Sequence, residues 1–225
     1  MRIDLHLHTS ASIDGVHSPK TMVKAAKERG LSGIAITDHD SIDGWKQGIK
    51  AGKEFDVLVV RGEEVSVYKG DRIVAHVLGL FLSEAVRAKT MPEVAEEIHD
   101  QGGLAVIAHP LDRWRGKYED LKKYLGYFDG VEVLNGHTPF FKDNQIAREF
   151  ALRNNKPMTG GSDAHSKYEI GCAYTEARAS DLEEFRKALI KGKTRPMGGK
   201  VNLMLHVLSA LSKRGLYPKE KFESM

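Results

Sequence analysis

Short apolar runs rich in β-branched residues alternate along this chain with longer segments whose apolar positions recur every three or four residues. Those two periods separate strands from helices. The first run predicts a strand over residues 2–7. Ser18-Pro19 then offers an N-cap and a proline at the first helical position, and Gly30 closes that helix. A strand at 33–37 leads to a helix at 42–53, and a third strand follows at 57–65. Lys69-Gly70-Asp71 is a tight-turn signal into a strand at 72–80, so these two strands form an antiparallel hairpin.

The alternation then resumes. A helix at 92–101 ends at Gly102-Gly103, before strands at 104–108 and 129–134. Phe140, Phe141, Ile146, Phe150 and Ala151 fall near one face of a helix at 140–154. A short strand at 158–160 and a helix at 181–191 come next. Asp181, Glu183 and Glu184 stand in the first turn of that helix, where its dipole favours acids. The last apolar pattern, 201–211, predicts a C-terminal helix. Repeated strand–helix units imply parallel strands joined by right-handed crossovers. Polar motifs recur after many strand ends, whereas an open doubly wound sheet concentrates its site at one switch point. The expected fold is therefore α/β, a distorted TIM-like barrel of the (β/α)7 type. Without a repeat, a linker or a break in composition, residues 1–225 read as a single barrel domain.

Composition changes this picture little. A chain of 225 residues, 41% hydrophobic and 29% charged, can bury one substantial core. The net charge of +3 and the lack of a long Lys/Arg run do not favour a nucleic-acid partner, although they leave one open. The single cysteine, Cys172, precludes an internal disulfide and suits a reducing compartment. No run approaches a membrane span and no basic-then-apolar leader opens the chain, so a cytoplasmic protein is expected. Oligomeric state is not written in the sequence.

The chemistry lies in histidines and carboxylates at predicted strand ends. Asp4-Leu5-His6-Leu7-His8-Thr9 places two imidazoles two residues apart, on the same side of a strand. Asp163-x-His165, within Gly161-Ser162-Asp163-Ala164-His165, repeats that spacing. Between them come Asp14, Thr37-Asp38-His39-Asp40, Gly62-Glu63-Glu64, His76 and Ala108-His109-Pro110. Zinc, manganese and iron accept such side chains. Taken singly, each has another reading; His109, for instance, fits a core histidine bonded to a carbonyl equally well. A barrel whose strand ends converge on one face would bring the whole set together.

This ordered set of motifs, over about residues 1–200, resembles the polymerase and histidinol phosphatase (PHP) family. The resemblance implies a seven-stranded, TIM-like barrel with two or three divalent ions (Mn, Zn or Fe) at its C-terminal face. It implies His6, His8, Glu64 and Asp163 on one ion, and Glu64, as a bridge, with His76 and His109 on a second. Asp14, His39 and His165 would hold a third; some branches carry histidine where this chain has Asp14. Glu63 and Glu64 point oppositely along a strand, and Glu64, as the last residue of Gly-x-Glu, is taken as the ligand. Asp38 and Asp40 divide between helix-capping or supporting roles and direct ligation.

Divalent ions in such a site activate water at neutral pH and polarise a phosphoryl oxygen. Metal-dependent phosphoester hydrolysis follows, with Glu64 and Asp163 as catalytic carboxylates. Candidate substrate contacts are Arg113 and Arg115, after His109-Pro110, together with Asn135 and Lys167, each just past a strand end. A solvated loop with Trp114 covering a helix is the other reading of Asp112-Arg113-Trp114-Arg115. His17, His99, His137 and His206 match no motif. The expected substrate is a small phosphomonoester, a nucleotide or sugar phosphate. An exonuclease or oligonucleotide-trimming phosphodiesterase is the alternative, and a non-catalytic barrel is disfavoured by so complete a ligand set.

Overall fold

Period-two alternation along the central strands divides their side chains between two hydrophobic cores. On β2 (Gly33–Ile36), Ile34 and Ile36 join one core and Ala35 the other. On β5 (Leu104–Ile107), Ala105 and Ile107 join the first core, Leu104 and Val106 the second. The first core also takes Met22, Val23 and Ala26 of α1 (Pro19–Glu28), Ala51 of α2 (Trp45–Phe55) and Val94, Ala95 and Ile98 of α3 (Met91–Asp100). The second takes Phe185 and Leu189 of α6 (Leu182–Ile190). Helices thus cover one face of the sheet while α6 fills against the other. In this computed structural model the described residues are 1–110, 121–138, 140–199, Leu211, Arg214, Leu216 and 218–221. The C-terminal helix expected near 201–211 falls, except for Leu211, outside them.

The remaining elements are β1 (Arg2–Asp4), β3 (Leu58–Lys69), β4 (Arg72–Leu80), the short α4 (Leu121–Tyr124), β6 (Gly130–Asn135), α5 (Phe141–Arg153), β7 (Met158–Gly161), β8 (Ala173–Ala177) and β9 (Thr194–Gly198). Among the described residues the sheet order is β7-β6-β5-β4-β3-β2-β1-β8-β9. β1 with β2, β2 with β3, β5 with β6 and β6 with β7 are parallel, as strand–helix–strand units require. The β3–β4 hairpin is antiparallel, as its Lys69-Gly70-Asp71 turn predicts, so β4 also meets β5 antiparallel.

The ring closes just beyond the named strands. The Asp163 N–H donates to the His6 carbonyl at 2.8 Å and the His8 N–H to the Ala164 carbonyl at 2.7 Å. The barrel is therefore nearly closed, in seven strands from β1 to β7. The antiparallel pair β8–β9 extends it from β1. Neither β8 nor β9 was expected: Ala-Tyr-Thr-Glu-Ala and Thr-Arg-Pro-Met-Gly are short and carry weak apolar signals. β1 stops at Asp4 rather than residue 7, because beyond it the chain makes only an isolated bridge, Leu7 to Ala164.

Local signals set the helix starts. Ser18 caps α1, its hydroxyl accepting from the Thr21 N–H, with Pro19 at the first position. Asp181 does the same for α6 through the Glu184 N–H at 2.8 Å. Both α1 and α2 follow parallel strands, so their N-termini lie on the side where the strands end. No helix among the described residues is long and apolar enough to cross a membrane.

Candidate metal centre

Past the strand ends, the backbone takes conformations that most residues avoid. Asp40, His109 and Asp163 have positive φ of 45°, 27° and 54°. Such geometry costs on the order of 1–3 kcal/mol and concentrates at functional sites. Two glycines make the packing possible. A Cβ on Gly161 would sit 2.5 Å from His6 Cβ and 2.8 Å from its backbone nitrogen. One on Gly15, next to Asp14, would overlap the Thr9 carbonyl.

All nine expected ligands are brought together. Glu64 is central, and its two oxygens face different groups. Oε2 lies 3.2 Å from His6 Nε2, 3.1 Å from His8 Nε2 and 3.3 Å from His39 Nδ1. Oε1 lies 2.9 Å from His109 Nε2 and 3.6 Å from His76 Nδ1. Asp163 Oδ1 lies 3.2 Å from His8 Nε2 and 3.5 Å from His6 Nε2. Asp14 Oδ2 is 3.5 Å from His39 Nε2 and 3.4 Å from His165 Nε2. Glu64, His6, His8 and Asp163 are essentially inaccessible to solvent, whereas His39 and His76 are partly open.

These separations test whether the set suits metal ions. Ligands about 2.1 Å from an ion are about 3.4 Å apart on a tetrahedron and about 3.0 Å apart on an octahedron. Most of the observed contacts fall in that range. Moreover, Glu64 Oε2 is buried and receives no hydrogen bond among the described residues, despite three imidazole nitrogens nearby. A buried carboxylate oxygen left that way is costly unless a cation supplies the missing interaction. The donor set fits divalent metal.

Without an ion, the charges act on one another. Burial opposes the charge of Glu64, yet the imidazoles of His39, His6 and His76 hold its carboxyl well below the usual carboxylate range. Burial also works against ionised Asp14, but His165, His39 and His8 outweigh it and lower that group too. Burial alone would lower the His8 imidazole; Asp163 and Glu64 outweigh it and push it up to about 10.

A layer of supporting groups surrounds the ligands. Glu132 of β6, buried between Val131 and Val133, accepts from His6 Nδ1 at 3.0 Å with one oxygen. Its other oxygen accepts from the His109 N–H at 3.0 Å and from Asn135 Nδ2 at 3.0 Å. Asp38 ties the loop after His8 to β2, accepting from the Thr9 N–H at 2.6 Å and the Thr9 hydroxyl at 2.9 Å. The Ser12 hydroxyl donates to Asp14 Oδ1 at 3.0 Å. Asp40 accepts from the Ser66 N–H at 2.9 Å. Asp4, pushed up to about 6 by burial, accepts from the backbone of Ser162 and Gly171.

Sequence reasoning overlooked Glu132, although a charged residue inside Gly-Val-Glu-Val-Leu-Asn was itself the signal, because a buried carboxylate needs partners. Glu63 turns away from the cluster, where its carboxylate accepts from the Val86 N–H at 2.8 Å; burial pushes it up to about 7.

The candidate substrate contacts are placed less uniformly. Asn135 is fully buried, and its amide is committed on both sides. Nδ2 donates to Glu132 and, at 3.1 Å, to Asp163 Oδ2; Oδ1 accepts from the His137 N–H at 3.0 Å. It holds carboxylates in place and has no hydrogen left for a phosphate. Lys167 stands at the edge of the site with its ammonium 5.3 Å from the Tyr168 ring centre. Arg113 and Arg115 lie outside the described residues, as does His206. His137 is buried with its ring centre 4.8 Å from that of His165 and tilted 43° to it, while His17 accepts from the Lys167 N–H and His99 faces Asp129.

The PHP-associated family model matches residues 141–194. An uncharacterized protein of Methanocaldococcus jannaschii is 37% identical over 154 residues, which cover 61% of this chain and 83% of that protein. The 5'-3' exoribonuclease Rnm of Salmonella typhimurium is 32% identical over 194 residues, covering 85% of this chain and 55% of its own length. Among solved structures, a two-domain protein from Bacteroides vulgatus containing a predicted PHP-like metal-dependent phosphoesterase superposes with a TM-score of 0.75. Its identity is 22%, over 88% of this chain and 65% of that one. Barrel, ordered motifs and relatives agree: the chain belongs to the polymerase and histidinol phosphatase (PHP) family of metal-dependent phosphoesterases.

Proposed function

We propose that this protein hydrolyses a phosphomonoester, a nucleotide or sugar phosphate, using two or three divalent ions held at the mouth of its barrel. The observation that carries this reading is the buried Glu64 Oε2, faced by three imidazole nitrogens and reached by no hydrogen bond among the described residues. His6, His8, Glu64 and Asp163 would hold one ion, Glu64, His76 and His109 a second, and Asp14, His39 and His165 a third. Imidazole and carboxylate suit Mn, Zn or Fe. When bound, such ions acidify water and polarise a phosphoryl oxygen.

The chain's own residues prepare that chemistry. Glu64 and Asp163 are the catalytic carboxylates, fixed before substrate arrives: Asn135 grips Asp163, and His109 grips Glu64. Glu132 holds the His6 ring so that Nδ1 donates outward and Nε2 keeps its lone pair for the cluster. Preset charges of this kind need no rearrangement during the reaction. Arg113 and Arg115 are assigned to grip the phosphate through their guanidinium forks, with Lys167 at the rim. The lone cysteine supports a reducing, cytoplasmic setting.

A second reading, trimming of nucleotides from an oligonucleotide end, is favoured by one observation: the similarity to a 5'-3' exoribonuclease over 85% of this chain. One activity panel tests both. Phosphomonoesters, a phosphodiester and short oligonucleotides are incubated with metal-free protein resupplied with Mn, Zn, Mg or Fe. The expected result is metal-dependent release of phosphate or nucleotide. No turnover of any ester with any metal would overturn both readings.

A further inference from the structure

On the outside of the barrel, α1 and α2 enclose a groove of about 790 Å3. Its walls carry Lys20 and Lys24 from α1, Lys46, Lys50 and Lys53 from α2, and Lys221 from the C-terminal segment. No basic run exists in the sequence, because two or more residues separate each of these lysines from the next. Helical geometry gathers them. Positions i, i+4 and i+7 share a face, and four residues advance about 6 Å along the axis.

Two acids line the same groove and are already engaged. Glu54 pairs with Lys20 at 2.8 Å. Glu220 accepts from the Ser18 N–H at 2.9 Å and the Thr21 hydroxyl at 2.8 Å. No salt bridge reaches Lys46, Lys50, Lys53 or Lys221 among the described residues. The groove lining therefore sets six lysines against two carboxylates, a net positive charge.

The groove also leads to the metal-type cluster. The Glu220 N–H donates to the Val16 carbonyl at 2.8 Å, and the adjacent Lys219 ammonium donates to the Ser12 carbonyl at 2.7 Å. The Ser12 hydroxyl in turn holds Asp14. Lys20 and Lys46 occupy the first turns of α1 and α2, the turns nearest the ends of the parallel strands. Basic side chains thus run from the loop that carries Asp14 down the outside of two helices.

We propose that this groove binds the phosphodiester backbone of a single-stranded nucleic acid whose end enters the barrel mouth. The inference rests on the phosphoesterase reading and favours its strand-trimming form. A small phosphomonoester needs no track of spaced cations, whereas a strand supplies successive phosphates along one.

The test uses the full chain, stripped of metal so that nothing is cut, and a labelled 15-nucleotide single strand in RNA and DNA forms. Binding is followed by fluorescence anisotropy from low to moderate salt. Four contacted phosphates predict a log–log slope of about −2.8, at about −0.7 each. Lys46→Gln, Lys50→Gln and Lys53→Gln combined should reduce that slope by about 2 and weaken low-salt binding at least tenfold. Lys50→Gln alone should reduce it by about 0.7. Hydrolysis of a small aryl phosphate by the metal-loaded triple variant should stay within about twofold of the parent, since none of these lysines belongs to the cluster. Equal strand affinity and slope in parent and triple variant would overturn the proposal, as would polyglutamate of the same length binding as tightly as the strand. If the variants lose strand binding but no metal-loaded protein cleaves any ester, the groove stands and the phosphoesterase reading falls.

Discussion

Glu132 Oε1 lies 3.0 Å from Nδ1 of the His6 ring, and this contact reaches from one strand to the end of another across the floor of the site. The same carboxylate holds the His109 backbone and the Asn135 amide. It therefore orients two candidate ligands and one of the residues behind them.

Glu132→Gln keeps the shape of this side chain but replaces one acceptor oxygen with a donor. Either His6 or His109 then loses its partner. Affinity for metal should fall on the order of 10–100-fold, the usual consequence of removing a group that orients a ligand. Competition with a chromophoric chelator measures it, and circular dichroism checks the fold. Unchanged affinity would show that the His6 ring is held without Glu132.

Glu64 serves two groups of ligands and Asp14 only one. Glu64→Gln should consequently abolish turnover and remove metal from both groups. Asp14→Asn should retain two ions per chain and part of the activity. Elemental analysis of both proteins beside kcat decides this. Equal metal content in the Glu64 variant and the parent would mean that Glu64 does not bridge.

Chelation should expose a pH dependence that metal conceals. With no ion, His8 is pushed up to about 10 in the folded protein, against 6.5 as its ordinary value. Across that window the folded state holds a proton that the unfolded chain has lost. The stabilisation is complete below pH 6.5 and disappears as pH rises toward 10. Metal displaces that proton, so uptake at pH 8 should release protons and flatten the profile. Urea midpoints at pH 6.5, 8 and 9.5, with and without chelator, provide the measurement. A chelated profile flat over this range would contradict the charge arrangement around His8.

The parts of this molecule legible in its sequence were those written in local chemistry. Ser18-Pro19, Asp181 and the Lys69-Gly70-Asp71 turn each satisfy or bend nearby backbone, and each marks an observed boundary. Metal-type residues at strand ends were legible because imidazoles and carboxylates seldom punctuate apolar strands without a common partner. The turn of the Asn135 amide toward Glu132, Asp163 and the His137 N–H was not legible, because distance past a strand end does not reveal which way an amide points. The lysine groove escaped notice because its charges become neighbours only when two helices form and pack. β8 and β9 were missed since their short, mixed sequences owe their pairing to β1 and to each other.

Gly161→Ala tests how tightly barrel closure and the cluster are joined. Gly161 ends β7, and an added methyl would meet His6 Cβ at 2.5 Å, the His6 nitrogen at 2.8 Å and Glu132 Oε1 at 3.1 Å. Two of those atoms cannot yield without moving the backbone that carries His6, and the third is the carboxylate that orients its ring. The conflict should cost about 1–3 kcal/mol of stability, the range for overpacking a close contact. Displacement of His6 from Glu64 and Asp163 should lower metal affinity as well, because three groups at 3.0–3.5 Å now fix its position. A substitution that merely loosened the fold would lower the unfolding midpoint equally with and without metal. One that moves His6 should lower it more with metal present, since the ion then contributes less to the folded state. Thermal unfolding of parent and variant, each with and without Mn, separates the two, and an equal drop in both conditions would place Gly161 in the barrel seam alone.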